Sequence, residues 1–353
     1  MLVDKQNYPQ KQFQYSIICQ IAMKSRQNWF CQQCIALDQS NSIILISEES
    51  LIRVFQFNKI SLKQIQLLKN HRANIKTLRF FNKKERKFFS GSEDSSIIIW
   101  PQQLNSQVKF IQKLKGHIEG ITCMIINGDN NLIISGGGDS CIKFWTILSP
   151  NDTELDRNIK HLQWSCQQTI SDINNRILSL SINNLGNQVI SCCSQNQILV
   201  IEYSTFSSIW MVKQKIKVDI WGRFISFLDN NFFVFFPYDG KYLYQYRTNS
   251  INNYFKISSI LISCGEQFSE LPPIYLSDQK LLIIWGFFSL NFFRITQNKK
   301  QSCKRKETFE FQKEHKIEFK QNCLKAIISQ NGQYLISWNQ NQSWIQICQF
   351  QEI

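Results

Sequence analysis

The chain lacks any long apolar run. Its longest, residues 281–290, falls well short of the roughly 20 positions a spanning helix needs. Residues 1–13 are polar and lack the apolar core of a secretory signal. These absences lead us to expect a soluble intracellular protein, cytoplasmic rather than nuclear, with reduced thiols. Charge is also sparse. Only 19% of residues are Asp, Glu, Lys or Arg, and the 26 acidic ones are scattered, so no pair reads as an acid/base couple.

Histidine is rarer still, with 4 in 353 residues. Two fall in the repeats described below. The others, His161 and His315, are expected in loops or at strand starts. Neither neighbours a Ser-Gly or Cys-Gly nucleophile pattern, so no catalytic triad assembles. Gly136-Gly137-Gly138 lacks the Lys-Ser/Thr and helix that a phosphate loop requires. Cys31-Gln32-Gln33-Cys34 is a CxxC without a second pair or a suitably placed histidine, and Cys19 and Cys166 are not spaced to complete a zinc site. A redox pair would sit where a strand meets a helix, and none is expected there. We therefore expect no catalytic residues, no cofactor and no metal.

What is present is apolar and aromatic. Hydrophobic residues make up 43% of the chain, with 27 Phe and 9 Trp, ample for an extended core and too much for a disordered chain. The 12 cysteines do not form a disulfide scaffold; Cys19, Cys123, Cys141 and Cys348 lie in apolar runs, where a reduced cysteine acts as a small hydrophobe. Cys192 and Cys193 are adjacent in an expected strand and should face opposite ways. Gln and Asn supply about a fifth of the residues and read as solvated turns between apolar segments. The net charge of +14 favours acidic partners. Two basic clusters, Lys83, Lys84, Arg86 and Lys87, then Lys299, Lys300, Lys304, Arg305 and Lys306, lie between apolar runs and read as solvated surface loops.

Two segments repeat. One begins at His71 and continues to Ser90-Gly91-Ser92-Glu93-Asp94 and Trp100; the other begins at His117 and continues to Ser135-Gly136-Gly137-Gly138-Asp139 and Trp145. The two tryptophans stand 45 positions apart, as do the two aspartates. A repeat of roughly 40–45 residues with an early His and an Asp-to-Trp ending resembles the WD-repeat propellers of the G-protein-β-like family. The resemblance implies four-stranded antiparallel blades, each repeat supplying the outermost strand of one blade and three strands of the next. It also implies two structural hydrogen-bond tetrads, His71, Ser90, Asp94 and Trp100, and His117, Ser135, Asp139 and Trp145. A buried Trp N–H needs an acceptor, and leaving such a group unpaired costs roughly 1–3 kcal/mol.

The remaining units follow strand rhythm, with short apolar runs bounded by Asn, Gly, Asp and Ser. Residues 34–57 form one, with Phe55 in the Trp place; 177–203, 223–246, 258–295 and 324–350 form four more. Asn-Gly pairs at 127–128 and 331–332 mark hairpins. Helical periodicity is absent, apart from a short turn expected near residues 152–162. The expectation is an all-β, seven-bladed β-propeller: a tail at 1–12 and a single domain over 13–353. Residues 13–21 pair into the last blade and close the ring.

By the same resemblance, partners bind on loops at one rim. Those positions are Arg72, Asn74, Glu93, Glu119, Asn175, Arg176 and Trp221. The function expected is a non-enzymatic scaffold binding a protein or peptide, as a monomeric propeller within a complex. The alternative is a propeller that binds RNA or an anionic surface through the basic clusters. An enzyme on the same scaffold is a third reading.

Overall fold

The structure, a computed structural model, describes residues 13–22, 34–81, 87–102, 110–147, 163–173, 175–238, 242–262, 273–285, 289–298, 308–318, 325–339 and 344–352. Among them the regular elements are all strands, arranged in seven four-stranded antiparallel sheets. The fold is the all-β, seven-bladed type expected from the strand rhythm. The basic residues 83, 84, 86, 299, 300 and 304–306, together with Cys31, His161 and the turn near 152–162, lie outside the described residues.

The chain divides into two compact units, Met1–Gln27, Lys59–Leu62 and Gln267–Ile353, and Asn28–Asn58 and Lys63–Glu266. The second unit carries five sheets. The first sheet is β2 (Ile35–Leu37), β3 (Ile43–Glu48), β4 (Leu51–Phe57) and β5 (Leu62–Leu68), with Leu62 at its margin. The second sheet is β6 (Ile75–Phe80), β7 (Lys87–Ser92), β8 (Ser96–Pro101) and β9 (Gln112–Lys115). The third is β10 (Ile121–Ile126), β11 (Leu132–Gly137), β12 (Ile142–Ile147) and β13 (Trp164–Ile170). The fourth is β14 (Ile177–Ile182), β15 (Gln188–Cys193), β16 (Gln197–Ser204) and β17 (Ile209–Lys217). The fifth is β18 (Gly222–Asp229), β19 (Phe232–Pro237), β20 (Tyr242–Thr248) and β21 (Tyr254–Leu261).

The middle strands are buried on both faces. All six residues of β19, Phe-Phe-Val-Phe-Phe-Pro, are buried, and Phe233 and Phe235 pack toward the fourth sheet. Val189 and Ile201 join Ile134 and Phe144 in the core between the third and fourth sheets. The intervening Ile190 and Val200 point the other way, to Phe233 and Phe235 of the fifth sheet. Cys193 and Cys192 divide in the same manner, as alternation along a strand dictates. Each buried Phe or Ile adds about 1.5–3 kcal/mol relative to exposure.

The first unit holds two sheets. One is β22 (Ile274–Leu276), β23 (Leu281–Trp285), β24 (Ser289–Asn298) and β25 (Thr308–Glu318). The other is β26 (Lys325–Ile328), β27 (Tyr334–Asn339), β28 (Trp344–Glu352) and the N-terminal β1 (Phe13–Ala22). Strand β1 pairs antiparallel with β28 from Phe13–Glu352 to Ala22–Trp344, so the chain's first strand completes its last sheet. Between these two sheets, Ile283, Trp285 and Phe292 pack on Ala326, Ile328 and Leu335. Residues 258–261, read as the opening of the sixth unit, form the end of β21, the outer strand of the fifth sheet. That is the repeat-to-blade offset the resemblance implies. His315 lies inside β25, beside a shift in its pairing with β24, rather than in a loop or at a strand start.

Two recurring side-chain devices, mostly amides, secure the sheets: one between neighbouring sheets and one within a sheet. In outer strands β9, β13 and β17, a glutamine grips the backbone of the next sheet's outer strand. Gln112 takes Trp164, Gln168 takes Trp210 and Gln214 takes Tyr254. Each glutamine Oε1 accepts the backbone N–H and each Nε2 donates to the carbonyl, at 2.6–2.8 Å. The second device caps the turn between the first two strands of a sheet. Asp38, Asn127 and Asn183 each accept two backbone N–H groups four and five residues ahead. Ser329 accepts one five ahead. These four capping residues are buried. The amides in these roles are bonded structural parts rather than the solvated turns that the composition suggested.

Candidate functional site

Antiparallel order puts two kinds of connection at one end of each sheet: the segment linking one sheet to the next, and the turn between the second and third strands. Backbone hydrogen bonds fasten each turn to its link. Glu93 N–H donates to the Asn74 carbonyl at 2.8 Å, Gly138 to Gly120 at 2.8 Å, Ser194 to Arg176 at 3.1 Å and Tyr238 to Trp221 at 2.8 Å. These pairs occupy equivalent places on the second to fifth sheets and define one loop face.

Beneath this face lie the two best-kept repeats. In the third sheet Trp145 Nε1–H donates to Ser135 Oγ at 2.8 Å, and Ser135 Oγ meets His117 Nε2 at 2.8 Å. His117 Nδ1 meets the Asp139 carboxylate at 2.9 Å. One assignment satisfies every group: Trp donates to Ser, Ser donates to Nε2 of a neutral imidazole, and Nδ1–H donates to Asp. Burial of the His117 ring lowers its pKa despite the attraction of Asp139, which favours that neutral form. In the second sheet Trp100 Nε1–H reaches Ser90 Oγ at 2.9 Å, Ser90 Oγ reaches His71 Nε2 at 2.7 Å, and His71 Nδ1 reaches Asp94 at 3.0 Å. Burial pushes the Asp94 carboxyl up, but hydrogen bonds from His71, Ser96 and the Arg72 N–H outweigh it and hold it well below the usual range. Each Asp also fixes the link above it, Asp94 accepting from Arg72 N–H and Asp139 from Ile118 N–H, both at 3.0 Å. The buried network therefore sets the height of the loops that form the face.

Ser95 and Ser140, which follow these aspartates, have φ of 63° and 62°, turning the chain sharply after each carboxylate. Gly120 permits close approach, since a Cβ there would lie 2.9 Å from Glu93 Cα.

Four of the rim positions expected from sequence converge. Glu93, Glu119, Asn175 and Arg176, with Gly120, Gly138 and Ser140, line a cleft of about 370 Å³ over the second to fourth sheets. Glu93 is paired with Lys76 at 2.9 Å. Its carboxyl is pushed up by burial, but Lys76, Asn74 and Arg176 outweigh this and lower its pKa. Among the described residues, no other side chain makes a hydrogen bond or ion pair with Glu119 or with the Arg176 guanidinium. Arg72 is exposed beside the cleft-forming turn, and Asn74 supplies the carbonyl that anchors it. Trp221 lies two sheets along from Glu119. Its ring stacks on the half-exposed Tyr238 at 4.1 Å and 22°, and the Arg223 guanidinium carbon sits 5.0 Å over the Tyr238 ring.

Sequence reasoning missed Lys76, Arg223, Tyr238 and the two cleft glycines. The first two sit at β-bulges: pairing in the second to fifth sheets skips Lys76, Thr122, Leu178 and Arg223, one residue after each first strand begins. A bulge turns its side chain out of the alternation, here toward the loop face for Lys76 and Arg223. No local residue pattern announces it.

Among the described residues no group of three or more His, Cys, Asp and Glu is placed to hold a metal ion. Nor is any helix among them long and apolar enough to cross a membrane.

Comparison with known proteins bears on the second and third sheets. The WD domain, G-beta repeat, matches residues 62–101 and 108–146. LEC14B protein of Lithospermum erythrorhizon is 30% identical over 103 residues, 29% of this chain and 21% of its own length. Protein FIZZY-RELATED 1 of Arabidopsis thaliana is 28% identical over 149 residues, 41% of this chain and 28% of its own. CCR4-associated factor 4 homolog of Vanderwaltozyma polyspora is 33% identical over 95 residues, 27% of this chain and 14% of its own. The chain thus covers less than a third of the length of each of these relatives. Residues 62–101 and 108–146, which run from β5 to β12 and carry both tetrads, match WD repeats of the G-beta type, in a chain whose described strands form seven four-stranded antiparallel sheets.

Proposed function

We propose that this protein is a non-enzymatic scaffold that binds a protein or peptide partner within a complex, through the loop face of its second to fifth sheets. The cleft carries this reading. Glu119 and Arg176 bring opposite charges, neither hydrogen-bonded nor ion-paired to another side chain among the described residues, to one concave surface. The stacked Trp221 and Tyr238 add an aromatic anchor of the sort that dominates interface energetics. Rigid tetrads fix the loops in advance, which lowers the ordering cost of binding. The relatives' names point the same way in one instance, a factor named for its association with CCR4.

Affinity capture from cells tests the proposal. An Arg72→Ala, Glu93→Gln double variant should stay folded, since both side chains are exposed and a glutamine can still accept from Lys76. It should nonetheless lose a partner that the parent retains. Capture of the same partners in the same yields by both proteins would refute the loop face as the binding surface.

A further inference from the structure

We infer that the cleft at the third sheet is a subsite for a dipolar peptide segment, one presenting a basic side chain and a nearby acidic side chain. This rests on the proposed loop face and specifies what that face accepts. The walls carry a carboxylate, Glu119, and a guanidinium, Arg176, neither of which is hydrogen-bonded or ion-paired to another side chain among the described residues, although Arg176 also attracts Glu93 electrostatically. Glu93 is already answered by Lys76, so it shapes the wall rather than supplying a free charge. The two charges come from successive links, one entering the third sheet and one entering the fourth. In the third sheet the turn and link positions are both glycine, Gly138 and Gly120, where the fourth sheet has Ser194 and Arg176 and the fifth has Tyr238 and Trp221. The missing side chains open the cleft between the two charges. Its volume of about 370 Å³ admits a pair of side chains rather than a bare ion.

A ligand with one sign of charge would satisfy one wall and be repelled by the other. A segment with both signs satisfies both, with Glu119 accepting from Lys or Arg and Arg176 donating to Asp or Glu. Nearby Asn175 and Ser140 can bond the peptide backbone between them.

The test is selection of peptides from an unbiased display library on the full chain, followed by fluorescence anisotropy of the selected peptides. Expected peptides carry a Lys or Arg within a few positions of an Asp or Glu. Replacing either of those residues by Gln, or making Glu119→Gln or Arg176→Gln, should weaken binding about tenfold or more. A Glu119→Arg, Arg176→Glu exchange should favour a peptide with its two charges exchanged. Gly138→Leu should plug the cleft, since a Cβ there meets chiefly the Glu119 side chain, its carboxylate oxygen at 2.7 Å and its Cβ at 3.4 Å, with the Gly120 carbonyl at an ordinary 3.7 Å. If Gly138→Leu abolishes binding while the charge variants and peptide charges are without effect, the loop face binds but the dipolar assignment is overturned. If no selected peptide responds to Gly138→Leu, the assignment and the loop-face proposal both fall.

Discussion

Gln168 holds Trp210 with both ends of its amide, Oε1 accepting the Trp210 N–H at 2.7 Å and Nε2 donating to its carbonyl at 2.6 Å. The clasp acts where the fourth sheet's outer strand begins, and the Trp210 ring stacks on Phe144 of the third sheet at 4.8 Å. Polar and apolar contacts between the two sheets therefore coincide at one residue. Gln168→Ala should cost about 1–3 kcal/mol, because it leaves two backbone groups unpaired. Gln168→Glu should cost at least as much, since it keeps the acceptor but sets an oxygen against the Trp210 carbonyl. Urea midpoints of the two variants check this, and a neutral Gln168→Glu would mean the clasp contributes nothing.

Two serines at one position of neighbouring sheets offer a matched comparison. Ser135 pairs across the sheet with Met124 and Lys143, and Ser191 pairs likewise with Leu180 and Leu199. Ser135 is bonded to His117 and Trp145, whereas the buried Ser191 Oγ has no partner. In the fourth sheet Ile173 and Ile201, both buried, stand where His117 and Trp145 stand in the third. Ser135→Ala should therefore lose about 1–3 kcal/mol, while Ser191→Ala is neutral or stabilising. Equal effects in a thermal melt would contradict the network account.

Acid should weaken the fold from near neutrality. The folded state holds His117 neutral by lowering its pKa below 6.5, so the unfolded chain binds the extra proton as pH falls through that value, and stability drops. Asp94, also lowered, adds a further loss below its ordinary 3.8. The urea midpoint should fall between pH 7.5 and pH 5.5. A His117→Gln variant should be weaker at both values but less sensitive to the change. An undiminished pH slope in that variant would place the sensitivity elsewhere.

Removing β1 should expose β28 as an unpaired edge. Deletion of residues 1–22 is expected to give an aggregating or insoluble protein. A soluble deletion protein with the parent's thermal stability would show that the pairing of β1 with β28 is dispensable.

What could be read in advance followed side-chain chemistry. The apolar inner strands, the His–Ser–Asp–Trp spacing and the pairing of residues 13–21 into the last sheet were all legible as patterns of residue type. The outer strands were harder. Strand β25, Thr-Phe-Glu-Phe-Gln-Lys-Glu-His-Lys-Ile-Glu, covers one face only and carries mostly polar residues, so its apolar signal is thin. The glutamine clasps were hidden for another reason: Gln168 bonds the backbone of Trp210, and any residue there offers the same N–H and carbonyl. Rim residues Glu93, Glu119, Asn175 and Arg176 followed from repeat alignment. The bulges that aim Lys76 and Arg223 did not, because they arise from strand pairing rather than from local sequence.

The loop face is the central claim, and hydrogen exchange on the full chain, alone and with a partner recovered by affinity capture, tests it most directly. Binding should protect backbone amides in segments 72–76, 93–96, 118–120, 138–141, 175–177 and 221–223. Protection confined to the opposite turns, at 38–43, 127–132 and 183–188, with none on the loop face, would contradict it.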